Sequence, residues 1–153
     1  FDIPLARVIK TINCACKSVG NPGYGLVITF IFFIFLLLKI SIIDLGTKNK
    51  ESVDYPDFAK KVSKRLKLKK SEIGILICGS GTGMAISANK IKGIRAAVCY
   101  NVQSTRLSRL HNNANIISLG SRLTKKINVI KFVSVFLNTK FEGGRHQRRV
   151  KKI

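Results

Sequence analysis

Residues 74–88 contain the densest group of potentially reactive atoms in the chain, because a cysteine is followed directly by alternating glycines. A short apolar run, residues 75–77, leads into Cys78 and is typical of a buried parallel strand. Gly79, Gly81 and Gly83 carry no Cβ, so their main-chain N–H groups could converge on an anion. In open α/β sheets the end of such a strand faces the ligand crevice. The stretch therefore predicts a thiol nucleophile or base beside a cradle of N–H donors.

A purely structural role is the alternative for the same residues. Free cysteines are among the most frequently buried residues, and a cysteine at a strand end often only packs. Glycine-rich turns between a strand and a helix also occur without a ligand. The stretch alone leaves both interpretations of Cys78 open.

The positive charge of the chain limits the classes of partner that it can have. The 153 residues, 46% of them hydrophobic, are enough for one domain with a real core. The formal net charge of +21 invites a nucleic-acid partner. However, the sequence has no zinc-finger spacing and no aromatic RNA-binding strand, and the lysines of residues 60–70 fit a solvated helix face. An anionic small substrate suits the same sign of charge, so we expect no nucleic-acid partner.

Cysteine usage favours a reducing compartment. The four cysteines are Cys14, Cys16, Cys78 and Cys99, and none forms a C-x-x-C pair or joins a histidine at metal spacing. Cys14 and Cys16 are too close for an ordinary disulfide within one strand. We therefore expect a cytoplasmic protein and no metal site.

Residues 26–38 (LVITFIFFIFLLL) are almost wholly apolar. With Ile40, Ile42 and Ile43 the apolar stretch approaches the length of a membrane span, but Lys39 interrupts it. A buried helix followed by a buried strand is the competing interpretation, and we expect that a membrane location is the less favoured of the two.

The elements that must position Cys78 alternate between strands and helices, which predicts an α/β domain with a parallel sheet and right-handed crossovers. Residues 1–23 carry little periodic signal, residues 111–115 are typical of a loop, and residues 141–150 of a basic tail. Strands are predicted at 41–46, 73–78, 94–99 and 116–120, and helices at about 57–69, 84–91, 102–110 and 123–138.

Eight short motifs follow one another along these segments: IDLG at 43–46, SVDYP at 52–56, GILICGSGTG at 74–83, ANK at 88–90, GIR at 93–95, HN at 111–112, GSR at 120–122 and FEGGRHQRRV at 141–150. In this order they resemble the ribose-5-phosphate isomerase type B family from about residue 40 to residue 153. The wider family includes galactose-6-phosphate isomerase subunits, whose glycine loop lacks the cysteine, so Cys78 favours the ribose enzyme. The resemblance implies a single three-layer Rossmann-like α/β domain with a five-stranded parallel sheet.

The resemblance also implies roles for individual residues. Cys78 matches the base that moves a proton between C1 and C2 of the sugar, and His111 matches the residue that opens the furanose ring. A free thiol needs help to ionise near neutral pH, which a helix N-terminus and nearby arginines would supply. The remaining matches bind substrate: the loop residues Gly79, Ser80, Gly81, Thr82 and Gly83 as an N–H cradle, Asn112 on a sugar oxygen, Arg122, Arg145 and Arg149 on the phosphate, and Tyr55 as an active-site aromatic.

The N-terminus departs from the family pattern, in which Asp-His-x-Gly follows the first strand. Aligning on Gly23 and Tyr24 places Gly20 and Asn21 there instead, and the next helix would be the apolar residues 26–38. We therefore divide the chain into an atypical segment, residues 1–39, with a degraded first strand and an apolar first helix, and an isomerase core with a basic tail, residues 40–153.

The resemblance implies an aldose–ketose isomerase of carbohydrate metabolism, in the pentose phosphate pathway, that interconverts ribose 5-phosphate and ribulose 5-phosphate without a metal or organic cofactor. It implies a homodimer or a dimer of dimers in which arginines of the tail reach the neighbour's site. Two alternatives stay open: a catalytically impaired descendant that binds sugar phosphate or only assembles, and an isomerase of allose 6-phosphate or galactose 6-phosphate.

Overall fold

The computed structural model describes residues 8–12, 42–46, 53–68 and 73–153. Within these residues five strands form one parallel sheet in the order β2-β1-β3-β5-β4. The strands are β1 (Val8–Ile12), β2 (Ile42–Asp44), β3 (Ile73–Cys78), β4 (Ala96–Val98) and β5 (Ile116–Gly120). The predicted five-stranded parallel sheet is confirmed. Because all strands are parallel, they share one carboxyl edge, where they end, and one amino edge, where they begin.

Five helices accompany the strands in the described residues: α1 (Tyr55–Lys67), α2 (Thr82–Asn89), α3 (Val102–Asn112), α4 (Lys126–Asn138) and α5 (Gly144–Val150). Pro56 lies in the first turn of α1, where a missing N–H costs nothing. Asn101 and Ser104 form a reciprocal capping box at the start of α3. Asn113, with a φ of 46°, ends that helix in the left-handed conformation.

The helices cover both faces of the sheet, which gives the predicted three layers. All six residues of β3 are buried, and successive side chains point to opposite faces. Ile75 and Ile77 pack in a core that includes Phe132 and Phe136 of α4. Leu76 and Cys78 pack on the other side, in a core formed with α1 and α2. The Cys78 side chain therefore belongs to the face covered by α1 and α2.

The structure corrects several predicted boundaries. The strand predicted at residues 41–46 is confined to Ile42–Asp44, and the helix predicted at residues 123–138 begins at Lys126. His111 and Asn112, which we expected in a loop, form the last turn of α3, because the helix ends only at Asn113. The expected basic tail contains α5, a helix of seven residues. The strand predicted at residues 94–99 is confined to Ala96–Val98.

β1 lies within residues 1–23, where the sequence shows little periodicity, since Lys10 and Thr11 interrupt its apolar residues. It occupies an inner position of the sheet, and its register sets Ile12 beside Ile77. The predictions about Gly20, Asn21 and residues 26–38 lie outside the described residues, and the division at residue 39 stays a prediction. No helix in the described part of the chain has the length and apolarity needed to cross a bilayer.

Candidate active site

Cys78 is the last residue of β3, at the carboxyl edge of the sheet, and only 7% of its surface is exposed. The main-chain N–H of Gly81 donates a hydrogen bond to its Sγ over 3.2 Å. The predicted juxtaposition of a thiol and an N–H donor is present.

The loop between Cys78 and α2, residues 79–83, is held tightly against β5. Gly81 has a φ of +83°, and a Cβ built there would lie 2.9 Å from the carbonyl carbon of Leu119. A Cβ on Gly120 would lie 2.6 Å from the carbonyl oxygen of Ser80. Real Cβ atoms do not approach main-chain atoms so closely, so both positions require glycine. The buried hydroxyl of Ser118 also donates to the carbonyl oxygen of Gly81 over 2.6 Å.

The turn after β5 completes this frame. The N–H of Ser121 donates to the carbonyl oxygen of Cys78 over 2.8 Å, and the N–H of Arg122 donates to that of Gly79 over 3.0 Å. These bonds bring the backbone of Arg122 to the loop, and its side chain is exposed. Arg122 is therefore available to an anion at the carboxyl edge.

Ser80 and Tyr55 make further contacts within and over the loop. Ser80 accepts a hydrogen bond at Oγ from the N–H of Thr82, over 3.3 Å. The ring of Tyr55 packs directly over Gly83, because a Cβ built on Gly83 would lie 2.7 Å from the Tyr55 ring carbon Cζ. Tyr55 keeps 39% of its surface exposed, so it can form one wall of an open site above the loop.

His111 and Asn112 lie elsewhere, in the last turn of α3. Arg95 fixes this turn, since its Nε donates to the carbonyl oxygens of Asn112 and Asn113 over 3.1 and 2.9 Å. The N–H of Gly74, near the start of β3, donates to the carbonyl oxygen of Asn115 over 2.9 Å. These contacts place the end of α3 at the amino edge of the sheet.

The C-terminal segment packs against the same turn. The N–H of Glu142 donates to the carbonyl oxygen of Leu110 over 3.1 Å. The His111 and His146 rings stack with their centroids 4.2 Å apart and their planes 2° from parallel. Glu142 Oε2 lies 3.7 Å from Nε2 of His111 and 3.9 Å from Nε2 of His146. We call these three residues the histidine cluster.

Two arginines flank the histidine cluster. Arg145 donates from Nε to Nε2 of His146 over 3.4 Å, and Arg149 follows one turn later on α5. The pKa of His146 is lowered, chiefly by burial. The charges of His111, Arg145 and Arg149 lower this pKa further, and the charge of Glu142 acts in the opposite direction. His146 is therefore biased towards its neutral form.

The candidate residues thus form two groups on opposite edges of the sheet. From Gly74 to Cys78 the strand rises about 13 Å, and α3 spans about 16 Å from one edge to the other. One group is Cys78, the loop residues 79–83, Tyr55 and Arg122. The other is His111, Asn112, Arg145 and Arg149. One chain alone does not bring both groups together.

Three residues near these groups were given no role from the sequence. Ser118 fixes the loop, and Glu142 and His146 surround His111. The FEGGRH segment, which carries Glu142 and His146 four residues apart, was the available signal for the last two. The cysteines of the described part, Cys78 and Cys99, are free and buried. Burial raises the pKa of the Cys99 thiol, while hydrogen bonding with Thr105 and Ser108 acts in the opposite direction.

The described residues form a parallel α/β domain in which a cysteine and a glycine-rich loop lie at the carboxyl edge of the sheet and a second group with two arginines lies at the amino edge. The chain belongs to the ribose/galactose isomerase family, whose model matches residues 27–153. The resemblance seen in the sequence is therefore confirmed.

Individual relatives extend the match over nearly the whole chain. A protein of Rickettsia bellii, provisionally named a sugar phosphate isomerase, is 48% identical over 146 residues, which cover 95% of this chain and 99% of that protein. The structure of Clostridium thermocellum ribose-5-phosphate isomerase B is similar with a TM-score of 0.84 and 40% identity, covering 95% and 93% of the two chains. The Mycoplasma genitalium ribose-5-phosphate isomerase B structure, with bound ribulose-5-phosphate, gives a TM-score of 0.83 and 35% identity, covering 97% and 94%.

Proposed function

We propose that this chain interconverts ribose 5-phosphate and ribulose 5-phosphate, with Cys78 as the base. The observation that carries the proposal is the Gly81 N–H aimed at Cys78 Sγ at the carboxyl edge of the sheet. Family membership supports a sugar phosphate substrate, and the Mycoplasma genitalium relative holds ribulose-5-phosphate.

In the proposed reaction the Cys78 thiolate takes the proton from C2 of the open-chain aldose. The electron pair forms a C1–C2 double bond, and the charge passes to O1. A proton moves from O2 to O1, the thiol returns its proton to C1, and O2 becomes the carbonyl of the ketose. The N–H groups of Gly81 and Thr82 are engaged by Cys78 Sγ and Ser80 Oγ, so we assign stabilisation of the enediolate to the other main-chain donors of residues 79–83. Such preorganised donors are worth about 10²–10³ in rate.

The furanose ring of ribose 5-phosphate must open before C2 becomes acidic. We assign this step to His111, which moves the proton of the C1 hydroxyl to the ring oxygen while the bond between C1 and that oxygen breaks. Arg145 and Arg149 hold the phosphate with forked guanidinium groups, and Asn112 holds a sugar oxygen.

This mechanism requires both groups of residues around one sugar. Because they lie on opposite edges of the sheet in one chain, we propose a homodimer in which the His111 group of one protomer completes the Cys78 group of its partner. Each dimer then has two composite sites, as its two-fold symmetry requires.

Mixing two inactive variants tests this arrangement. Cys78→Ala and His111→Ala homodimers each lack one group in every site and should be inactive with ribose 5-phosphate. When the two are unfolded and refolded together, half of the dimers are mixed, and each mixed dimer has one intact site. We expect about a quarter of wild-type activity. Dimers that form in the mixture but remain inactive would overturn the composite site, and an inactive wild-type protein would overturn the activity itself.

Substrate choice is tested with the wild-type protein. We expect faster turnover of ribose 5-phosphate than of allose 6-phosphate or galactose 6-phosphate, because Cys78 is present in the loop. The reverse order would assign the chain to a different phosphorylated aldose within the same reaction type.

The N-terminus supports a slow version of this enzyme. The register of β1 sets Ile12, its last residue, beside Ile77, which directly precedes Cys78. The sequence after Ile12 has no Asp-His pair. General acid–base groups are worth about 10²–10⁴ each, so we propose reduced turnover. A variant with an Asp-His-Ala-Gly segment after β1 should be faster, and equal rates would contradict this proposal.

A further inference from the structure

The proposed mechanism uses one of the two histidines in the chain. His146 is buried, whereas the side chain of His111 is 37% exposed. A buried imidazole stacked against the proposed proton carrier has no role so far, and neither does the carboxylate of Glu142.

The geometry of the histidine cluster excludes shared coordination of an ion as the side chains stand. The lone pair of an imidazole nitrogen lies in the plane of its ring. The two planes are 2° from parallel with centroids 4.2 Å apart, so the two rings cannot direct lone pairs at one point. The arrangement suits stacking of two rings, which fixes their relative orientation.

Arg145 determines which form of His146 is present. Its Nε–H donates to Nε2 of His146, so this nitrogen is an acceptor and the ring proton is on Nδ1. A proton on Nε2 would meet a guanidinium group. His146 is thereby held neutral, and the lowered pKa of His146 has the same direction.

Other charged groups also surround the two rings. Glu142 Oε2 lies 3.7 Å from Nε2 of His111 and 3.9 Å from Nε2 of His146, so its carboxylate faces both rings, and at His146 it acts against Arg145. Arg145 and Arg149 face His146 from α5, and Arg95 contacts the last turn of α3 from the sheet. His111 is the partly exposed ring of the pair and His146 is the buried one, so His111 is the ring that a substrate can reach.

We infer that His146 and Glu142 are positioning residues for His111. The neutral ring of His146 orients the His111 ring by stacking, and the Glu142 carboxylate orients the Nε2–H of His111. This inference rests on the proposed role of His111 in ring opening. It assigns a function to the described contacts between α3 and the segment from Glu142 to His146.

Two reactions of the same enzyme separate positioning from loss of structure. Ribose 5-phosphate must be ring-opened, whereas ribulose 5-phosphate cannot form a furanose, since its 5-hydroxyl is phosphorylated. Exchange of a C1 proton of ribulose 5-phosphate into D₂O therefore reports the Cys78 step without ring opening. In His146→Ala and Glu142→Gln we expect turnover of ribose 5-phosphate to fall about 10–100-fold, below the full effect of a general acid–base group, with little change in C1 exchange.

Two variants complete the set. His146→Phe keeps a ring for stacking and should recover much of the turnover lost in His146→Ala. Arg148→Ala removes an exposed charge of α5 that has no contact with the cluster and should leave both reactions unchanged. Equal losses in the two reactions for His146→Phe and Glu142→Gln would mean a structural role and would overturn the inference.

A measurement without substrate keeps the inference separate from the proposed function. The full chain has only two histidines, so its ¹⁵N spectrum shows the signals of two imidazole rings. The couplings between ring nitrogens and ring protons report which nitrogen of each ring carries the proton. Near pH 7 we expect one ring as a fixed Nδ1–H tautomer, and this signal should vanish in His146→Phe. A charged or Nε2–H His146 would overturn the inference even in an active enzyme. An inactive wild-type protein with the expected spectrum would overturn the proposed activity, and with it the purpose of the positioning, but not the assigned form of His146.

Discussion

Replacing Gly81 by alanine should damage both the stability and the chemistry of the chain, and Gly93 provides a matched control. Both glycines have left-handed backbone angles, with φ of +83° and +88°. They differ in their surroundings: a Cβ on Gly81 would lie 2.9 Å from Leu119 C and 3.0 Å from Gly120 N, whereas nothing lies within 4 Å of a Cβ on Gly93.

The magnitudes follow from this difference. A left-handed alanine costs about 1–2 kcal/mol relative to its usual conformation, so Gly93→Ala should lower the free energy of unfolding by about that amount. Gly81→Ala carries the same cost and must also displace the backbone of β5 or of the loop. Overpacking of this kind costs about 1–3 kcal/mol more. The change in the unfolded state is common to both variants and cancels in the comparison.

Urea unfolding measures the first effect, provided that both variants keep the wild-type m-value. Turnover of ribose 5-phosphate measures the second. Displacement of the loop moves the Gly81 N–H away from Cys78 Sγ and shifts the other main-chain donors of the loop, and loss of one donor to a developing oxyanion costs about 10²–10³ in rate. Gly93→Ala should keep wild-type turnover. Equal destabilisation of the two variants, or full turnover in Gly81→Ala, would refute the description of the loop as a tightly fitted cradle.

Four further predictions concern other parts of the two groups. Cys78→Ala should abolish turnover while lowering the free energy of unfolding, measured by urea, by only about 1 kcal/mol; unchanged turnover would show that Cys78 only packs. Arg145→Ala and Arg149→Ala should raise KM for ribose 5-phosphate and leave the slow reaction of phosphate-free ribose unaltered, whereas equal losses with both sugars would indicate a structural helix. Ser118→Ala removes the hydrogen bond to Gly81 and should cost about 1 kcal/mol, non-additively with Gly81→Ala in a double-mutant cycle; strict additivity would contradict the contact. The pKa of His146 is lowered in the folded state, so between the folded and unfolded pKa values the unfolded state binds more protons. The contribution of His146 to the free energy of unfolding is therefore complete above about pH 6.5 and is lost as the pH falls below that value. Urea unfolding at several pH values should show this fall in stability in the wild type and a smaller fall in His146→Phe.

The centre of the site was predictable because its signals are local. The apolar run before Cys78, the alternating glycines and the helix-forming residues after them are adjacent in the sequence, and each fits the element that it forms. The arrangement of strands and helices also followed from their alternation along the chain.

Other features depend on contacts that are distant in the sequence. α3 continues through His111 because Asn113 supplies the left-handed end, and the polar residues after Leu110 gave no sign of where the helix would stop. β1 is inner and paired on both sides, although its five residues show no alternation. The separation of Cys78 from His111 follows from the direction of α3 across the sheet, which motif spacing does not reveal.

The frame around Cys78 has a consequence for how such a protein can diverge. The bonds from Ser121 and Arg122 end on the carbonyl oxygens of Cys78 and Gly79, and the closest approaches of Gly81 and Gly120 are to main-chain atoms. None of these contacts uses the side chain at position 78. A substitution at position 78 therefore removes the bond between the Gly81 N–H and Sγ but leaves this main-chain frame in place, so that the reactive group can change during evolution without rebuilding the fold.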